Sequence, residues 1–216
     1  MSTSKTRIDV QKRVRSACTT FQALRAEWED VRGETRDAMT MMANARLECD
    51  NVDSLVLPDV LAGDDSGKAL REALQRKRDE AFERAKLRME EYREQVSEIR
   101  IDFDKLANTE KYFSSSIREY PDDGEILKTL TFKRFRDAFS RVAGTYARDI
   151  DAKEKILEKF IAGDDKITNS STCDGFDDME LRDRYLALIS AWVLDPLLDV
   201  DFVEEFNALV LRDELR

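Results

Sequence analysis

The sequence predicts an all-α fold: a long antiparallel helical hairpin of coiled-coil character, followed by a compact C-terminal helical bundle. Three observations carry that expectation. Seven glycines and three prolines are all that punctuate 216 residues, so most of the chain must lie in elements that rarely break. Two stretches repeat apolar or small residues in alternating steps of three and four, the spacing of helices that pack along a seam. A third stretch sets its aromatic residues on one helical face. A 42% hydrophobic content is enough for a core in a chain that is also 38% charged.

The first seam starts at Val10 and passes through Val14, Ala17, Phe21, Leu24, Trp28, Val31, Thr35, Ala38, Met42, Ala45, Cys49 and Val52. It predicts a helix over 7–53. The second runs through Phe82, Ala85, Met89, Tyr92, Val96, Ile99, Phe103 and Leu106, within a helix expected over 67–113. Pro58, Gly63 and Gly67 mark the connection between them. Residues 1–113 are thus the hairpin and 114–129 a linker, where Pro121 and Gly124 enforce a break. A third helix follows over 130–161, with Phe132, Phe135, Phe139, Val142, Tyr146 and Ile150 on one face and Lys133, Arg134, Arg136, Arg141 and Arg148 on the others. Residues 162–178 read as a polar, acidic, mobile loop. Asp177 and Glu180 form a capping-box pattern that opens a fourth helix through Tyr185, Leu188, Ile189 and Trp192. Pro196 ends it near Leu194 or Asp195, and Asp199 or Asp201 restarts a last helix carrying Phe202, Phe206, Leu209 and Val210. Residues 130–216 form the C-terminal platform, and the apolar run from Ile189 to Val200 is its corner.

The hairpin's stripes are thin. Burying one medium or large apolar side chain contributes about 1.5–3 kcal/mol, but the first seam spends Ala17, Thr35, Ala38 and Ala45 on its contact face, and Gly33 interrupts the helix. Another chain, or this chain's own C-terminal half, must cover them. The expectation is a foreign helical subunit, with a self-contained bundle as the alternative. Phe21, Leu24, Trp28, Val31, Met89, Tyr92, Phe103, Trp192 and Pro196 are the residues expected to bind it; for Trp28 and Trp192, plain core packing is the competing role.

Chemistry is scarce. There is no histidine, which excludes His-based triads and most zinc sites. The stretch from Gly63 to Ala69 lacks the spacing and the Ser or Thr of a phosphate loop. The paired acids Asp64–Asp65, Asp164–Asp165 and Asp177–Asp178 lack calcium-loop spacing and read as solvated turn residues. Cys18, Cys49 and Cys173 are too scattered for a disulfide framework. An enzyme is not expected, nor a cofactor or metal. No segment is long and apolar enough to span a membrane, and the start lacks a signal-peptide core, so a soluble intracellular protein is expected. The net charge of −10 sits mostly in residues 161–216, where fourteen acids and five bases give −9. Such a tail repels nucleic acid. The basic third helix, with eight bases and five acids over 130–160, interleaves aromatics with bases, but aromatics at this spacing are better read as core than as a nucleic-acid stacking platform.

The corner also carries a resemblance. "ISAWVLDP", from Ile189 to Pro196, follows the pattern aliphatic-Ser-x-Trp-x-x-x-Pro and resembles the C-terminal signature of the cyclin-dependent kinase 2-interacting protein (CINP) family. Phe135 and Tyr146, eleven residues apart and followed by Ile150, Lys153, Ile156 and Phe160, are similar to that family's third helix. Phe21 and Trp28, the latter followed by Glu29, are similar to its N-terminal aromatic pair. The likeness covers about half the chain and finds little in residues 55–125; the longer acidic loop at 162–178 departs from it. The resemblance implies a non-enzymatic helical adaptor, nuclear and also cytoplasmic. Such an adaptor pairs with a second small helical subunit and links a hexameric AAA-type ATPase to clients in ribosome biogenesis or in DNA replication and checkpoint signalling, with a cyclin-dependent kinase as a further partner. The competing reading of the same heptads is a coiled-coil structural subunit of a kinetochore, tethering or cytoskeletal complex.

Overall fold

The computed structural model describes residues 2–53, 65–127, 130–168, 178–195 and 197–214. They are almost wholly helical, and among them no strand forms; an isolated antiparallel bridge pairs Glu125 with Thr131. The helices are α1 (Ser2–Asp53), α2 (Asp65–Ala107), α3 (Thr109–Tyr112), α4 (Ser114–Glu119), α5 (Phe132–Thr168), α6 (Asp178–Val193) and α7 (Val200–Glu214). The two long helices α1 and α2 pack against each other, as the seams predict, and a helical C-terminal region follows.

Boundaries moved where side-chain chemistry or a missing breaker decided. The second helix ends at Ala107 rather than 113, because Asn108 caps a new turn, its side chain accepting from the backbone N–H of Lys111 at 3.2 Å. Part of the expected linker is helical, as α4. The break itself falls where Pro121 and Gly124 predict it: Gly124 N–H donates to the Pro121 carbonyl, and Phe132 N–H to the Gly124 carbonyl. A Cβ at Gly124 would run into the Tyr120 ring. The acidic loop expected from 162 is corrected over its first seven residues, since α5 continues to Thr168. Gly163 alone costs a helix about 1 kcal/mol, and no proline lies between Pro121 and Pro196 to stop it. The capping residue Asp177 and the rest of that loop lie outside the described residues, as does the 54–64 connection.

The chain divides into two compact units. One comprises residues 1–30, 96–152 and 195–216, the other 31–95 and 153–194. This differs from the sequential division expected at 113 and 130, because α1, α2 and α5 each run through both units.

The first unit is organised around Phe21. Its ring stands edge-on to Phe103, Phe139, Tyr146 and Phe206 at centroid distances of 5.9, 5.8, 5.6 and 6.4 Å, while Phe103 stacks on Tyr146 at 5.0 Å. Such pairs contribute about 0.5–1.5 kcal/mol each beyond the area they bury. The aromatic face of α5 is therefore core. Arg136 is buried too, and ties the α2–α5 connection down by donating to Glu110 (2.8 Å) and to Asp122 while lying 5.1 Å from the Phe132 ring centroid. Asp199 caps α7, accepting from Phe202 N–H at 3.2 Å, and also accepts from Arg141 at 3.0 Å. The same guanidinium lies 3.9 Å from the Phe202 ring centroid.

In the second unit α1 buries Val31, Ala38, Met39, Met42 and Ala45, and α2 buries Ala85 and Met89. Thr35, the polar residue in the seam, is fully buried with its hydroxyl donor satisfied by the Val31 carbonyl at 2.7 Å. Phe160 of α5 packs on Tyr185 of α6 at 5.1 Å between centroids.

Candidate interaction surface

The helix that carries the Ser-x-Trp signature has two unlike faces. Tyr185, Leu188 and Trp192 recur at steps of three and four and form its inward side; Tyr185 and Trp192 are buried. The Trp192 indole N–H donates to the Arg32 carbonyl at 3.0 Å, which satisfies the polar end of a side chain otherwise enclosed. A helix ending at Val193 leaves its last carbonyls without intrahelical donors. Lys153 of α5, itself 1% exposed, supplies one: its ammonium donates to the carbonyls of Trp192 and Leu194, both at 2.6 Å, and lies 5.9 Å from the indole centroid. A cation at a helix C-terminus is electrostatically favourable. The corner is thus held from beneath by a buried lysine.

The outward face of the same helix is apolar as well. Leu186, Ser190 and Val193 recur at steps of four and three, flanked by Ala187 and Leu194, and all five are exposed, Leu186 at 52%, Val193 at 50% and Leu194 at 63%. On an amphipathic helix of a charged protein these places belong to polar residues. Further along the chain, in the other unit, Leu197 and Val200 are exposed as well.

Of the residues expected to bind a partner, Phe21, Leu24, Trp28, Val31, Met89, Phe103 and Trp192 are buried by this chain's own helices. Around Phe21 the covering side chains are the rings of Phe139 and Tyr146 on α5 and of Phe206 on α7. Tyr92 is half-buried. Burial and the negative field of Glu34, with which its hydroxyl hydrogen-bonds, raise its phenol above the ordinary value of 10.0. Pro196 lies outside the described residues. Sequence reasoning missed two features: the outward trio Leu186, Val193 and Leu194, and the capping role of Lys153. The near-unbroken apolar run from Ile189 was the signal for the first, because a helix apolar on both faces cannot hide both behind one neighbour.

No family model, no curated protein and no solved structure matches the chain.

Among the described residues no group of three or more Cys, Asp or Glu side chains is placed to hold a metal ion, and no helix is long and apolar enough to cross a membrane. Two open clefts lie in the first unit. One, of about 330 Å³, is lined by Asp9, Val10, Lys12, Arg13, Ser116 and Glu119; the other, of about 230 Å³, by Arg13, Ser16 and Tyr112. Neither has the apolar walls of a small-molecule site.

Proposed function

We propose that this chain is a non-enzymatic helical adaptor, which pairs with a second small helical subunit and links an AAA-type ATPase remodelling assembly to clients of ribosome biogenesis or of DNA replication and checkpoint signalling. The reading is carried by the outward face of α6. Exposed apolar side chains at helical spacing mark protein contacts rather than solvent-facing surface, and the steps from Leu186 to Ser190 to Val193 are those with which one helix meets another. They also fall on the helix whose sequence bears the CINP-like signature, so the resemblance and the surface chemistry point to one element. The buried seams act only as the scaffold that presents it.

The test is affinity purification with mass spectrometry, run on the wild-type chain and on a Leu186→Ser/Val193→Ser double variant. Both positions are half-exposed or more, so the variant should keep its melting temperature. Losing two central apolar contacts of about 1 kcal/mol or more each weakens a partner at least tenfold. The adaptor reading expects an AAA-type ATPase and a small helical protein with the wild type and their loss with the variant. Recovery of neither by the wild type, or undiminished recovery by the folded variant, would overturn it.

A further inference from the structure

We propose that Ser115 is a phosphorylation site and that Arg13 is the residue that holds the phosphate. The contact lies within the unit formed by residues 1–30, 96–152 and 195–216. Arg13, on α1, donates from Nη1 to the hydroxyl oxygen of Ser115, on α4. Among the described residues Arg13 forms no ion pair; its guanidinium meets a neutral hydroxyl where exposed arginines elsewhere in the chain, such as Arg36 and Arg93, meet carboxylates. A phosphate on that oxygen would bring close to two negative charges and three strong acceptors to a fork of donors already in position.

Room and local charge agree. The two open clefts both have Arg13 in their walls. Asp9 and Glu119 line the larger one and oppose an anion there, so the phosphate belongs toward the smaller, among Arg13, Ser16 and Tyr112. Lys12, Arg13 and Arg15 give this stretch of α1 three bases and no acid between Gln11 and Ser16, in a chain of net charge −10, and Arg118 follows Ser115 by three residues on α4. The three serines are not equivalent. Ser116 is buried at 3%, and Ser114 is exposed and among the described residues holds no arginine, while Ser115 is half-buried and holds Arg13. A six-residue helix is marginal by itself, so it can open locally to a kinase without unfolding the unit. In the transfer, Ser115 Oγ attacks the γ-phosphorus of a nucleoside triphosphate bound to the kinase. An O–P bond forms, the bond to the departing nucleoside diphosphate breaks, and the hydroxyl proton passes to the kinase's base. The product ties α4 to α1 by a charge-assisted pair.

The test installs phosphoserine at position 115 of the full chain by genetic-code expansion, with phosphoserine at 114 as comparator and each repeated in an Arg13→Ala background. A new phosphate–arginine pair in a chain of this size should raise Tm by about 2–4 °C. It should also pull the phosphate's second pKa, read by phosphorus NMR, below its usual value of about 6. Phosphate at 114 should do neither, and Arg13→Ala should erase both effects. An unchanged or lowered Tm, a chain that fails to fold, or effects indifferent to Arg13→Ala would overturn the proposal. So would finding, in the tryptic peptide Tyr112–Arg118 of the chain recovered from its own cells, that phosphate sits on Ser114 or Ser116 or on none of the three.

Discussion

Replacing Lys153 by methionine separates the two opposing terms of a buried charge. The side chain is 1% exposed and its ammonium holds two carbonyls at 2.6 Å beneath the end of α6. Methionine keeps most of the volume and loses these two bonds. Hydrogen bonds to a charged group contribute about 1.5–3 kcal/mol each, so the gross loss is about 3–6 kcal/mol, with the cation–indole contact and the helix-terminus field adding to it. Against this stands the desolvation of an ammonium, several kcal/mol, which methionine would not bear. Two further terms decide the sign. The Trp192 and Leu194 carbonyls lose their buried donor, and the lysine's stem is already packed as an apolar chain. The expected net is a destabilisation of about 2–3 kcal/mol, or a Tm lower by about 4–12 °C for a chain of this size. Differential scanning calorimetry with chemical denaturation measures it. A Lys153→Met chain as stable as the wild type, or more so, would refute the claim that this lysine holds the corner, since desolvation would then outweigh its bonds.

Three further outcomes are expected. Phe21→Ala removes the ring that four others contact and should cost about 3–5 kcal/mol, read as a lower denaturation midpoint; a loss under 1 kcal/mol would place the core elsewhere. Gly33→Ala should stabilise by up to about 1 kcal/mol, because Gly33 lies inside α1 and an added Cβ meets nothing within 4 Å; a lower midpoint would contradict that open space. Tyr92 should ionise above the ordinary phenol value of 10.0. Its folded value is raised, so its contribution to stability is fully present below pH 10 and is lost as the pH climbs through the folded value. Phenolate absorbance, compared between the wild type and Tyr92→Phe, reads the shift, and Glu34→Gln should reduce it.

The long helices were legible because their signal is local: the three-four steps from Val10 and from Phe82 give the apolar face regardless of what covers it. The aromatic face of α5 and a restart at Asp199 or Asp201 were legible for the same reason, as a helical stripe and a capping side chain, and Asp199 is the one that caps. What covers the seams was not. Phe21 meets Phe139, Tyr146 and Phe206, residues more than a hundred positions away, and periodicity carries no information on such pairings. The alanines of the first seam looked like weak contact, yet Ala17, Ala38 and Ala45 are buried. For the candidate surface, the apolar run from Ile189 announced the element, and tryptophan's inward turn fits the spacing of Tyr185 and Leu188. The buried role of Lys153 stayed hidden, because a lysine among charged neighbours on α5 reads as a solvated face until the end of another helix is placed over it.

The chain covers its own seams, and its two tryptophans test that directly, since Trp28 and Trp192 are each 1% exposed. The purified chain, alone and diluted far below the concentration at which weak partners associate, should show blue-shifted tryptophan emission and slow quenching by acrylamide, both abolished together in a single cooperative unfolding transition. Red-shifted, readily quenched emission that turns blue only when a second protein is added would contradict it, and would return Trp28 to an interface with a foreign subunit.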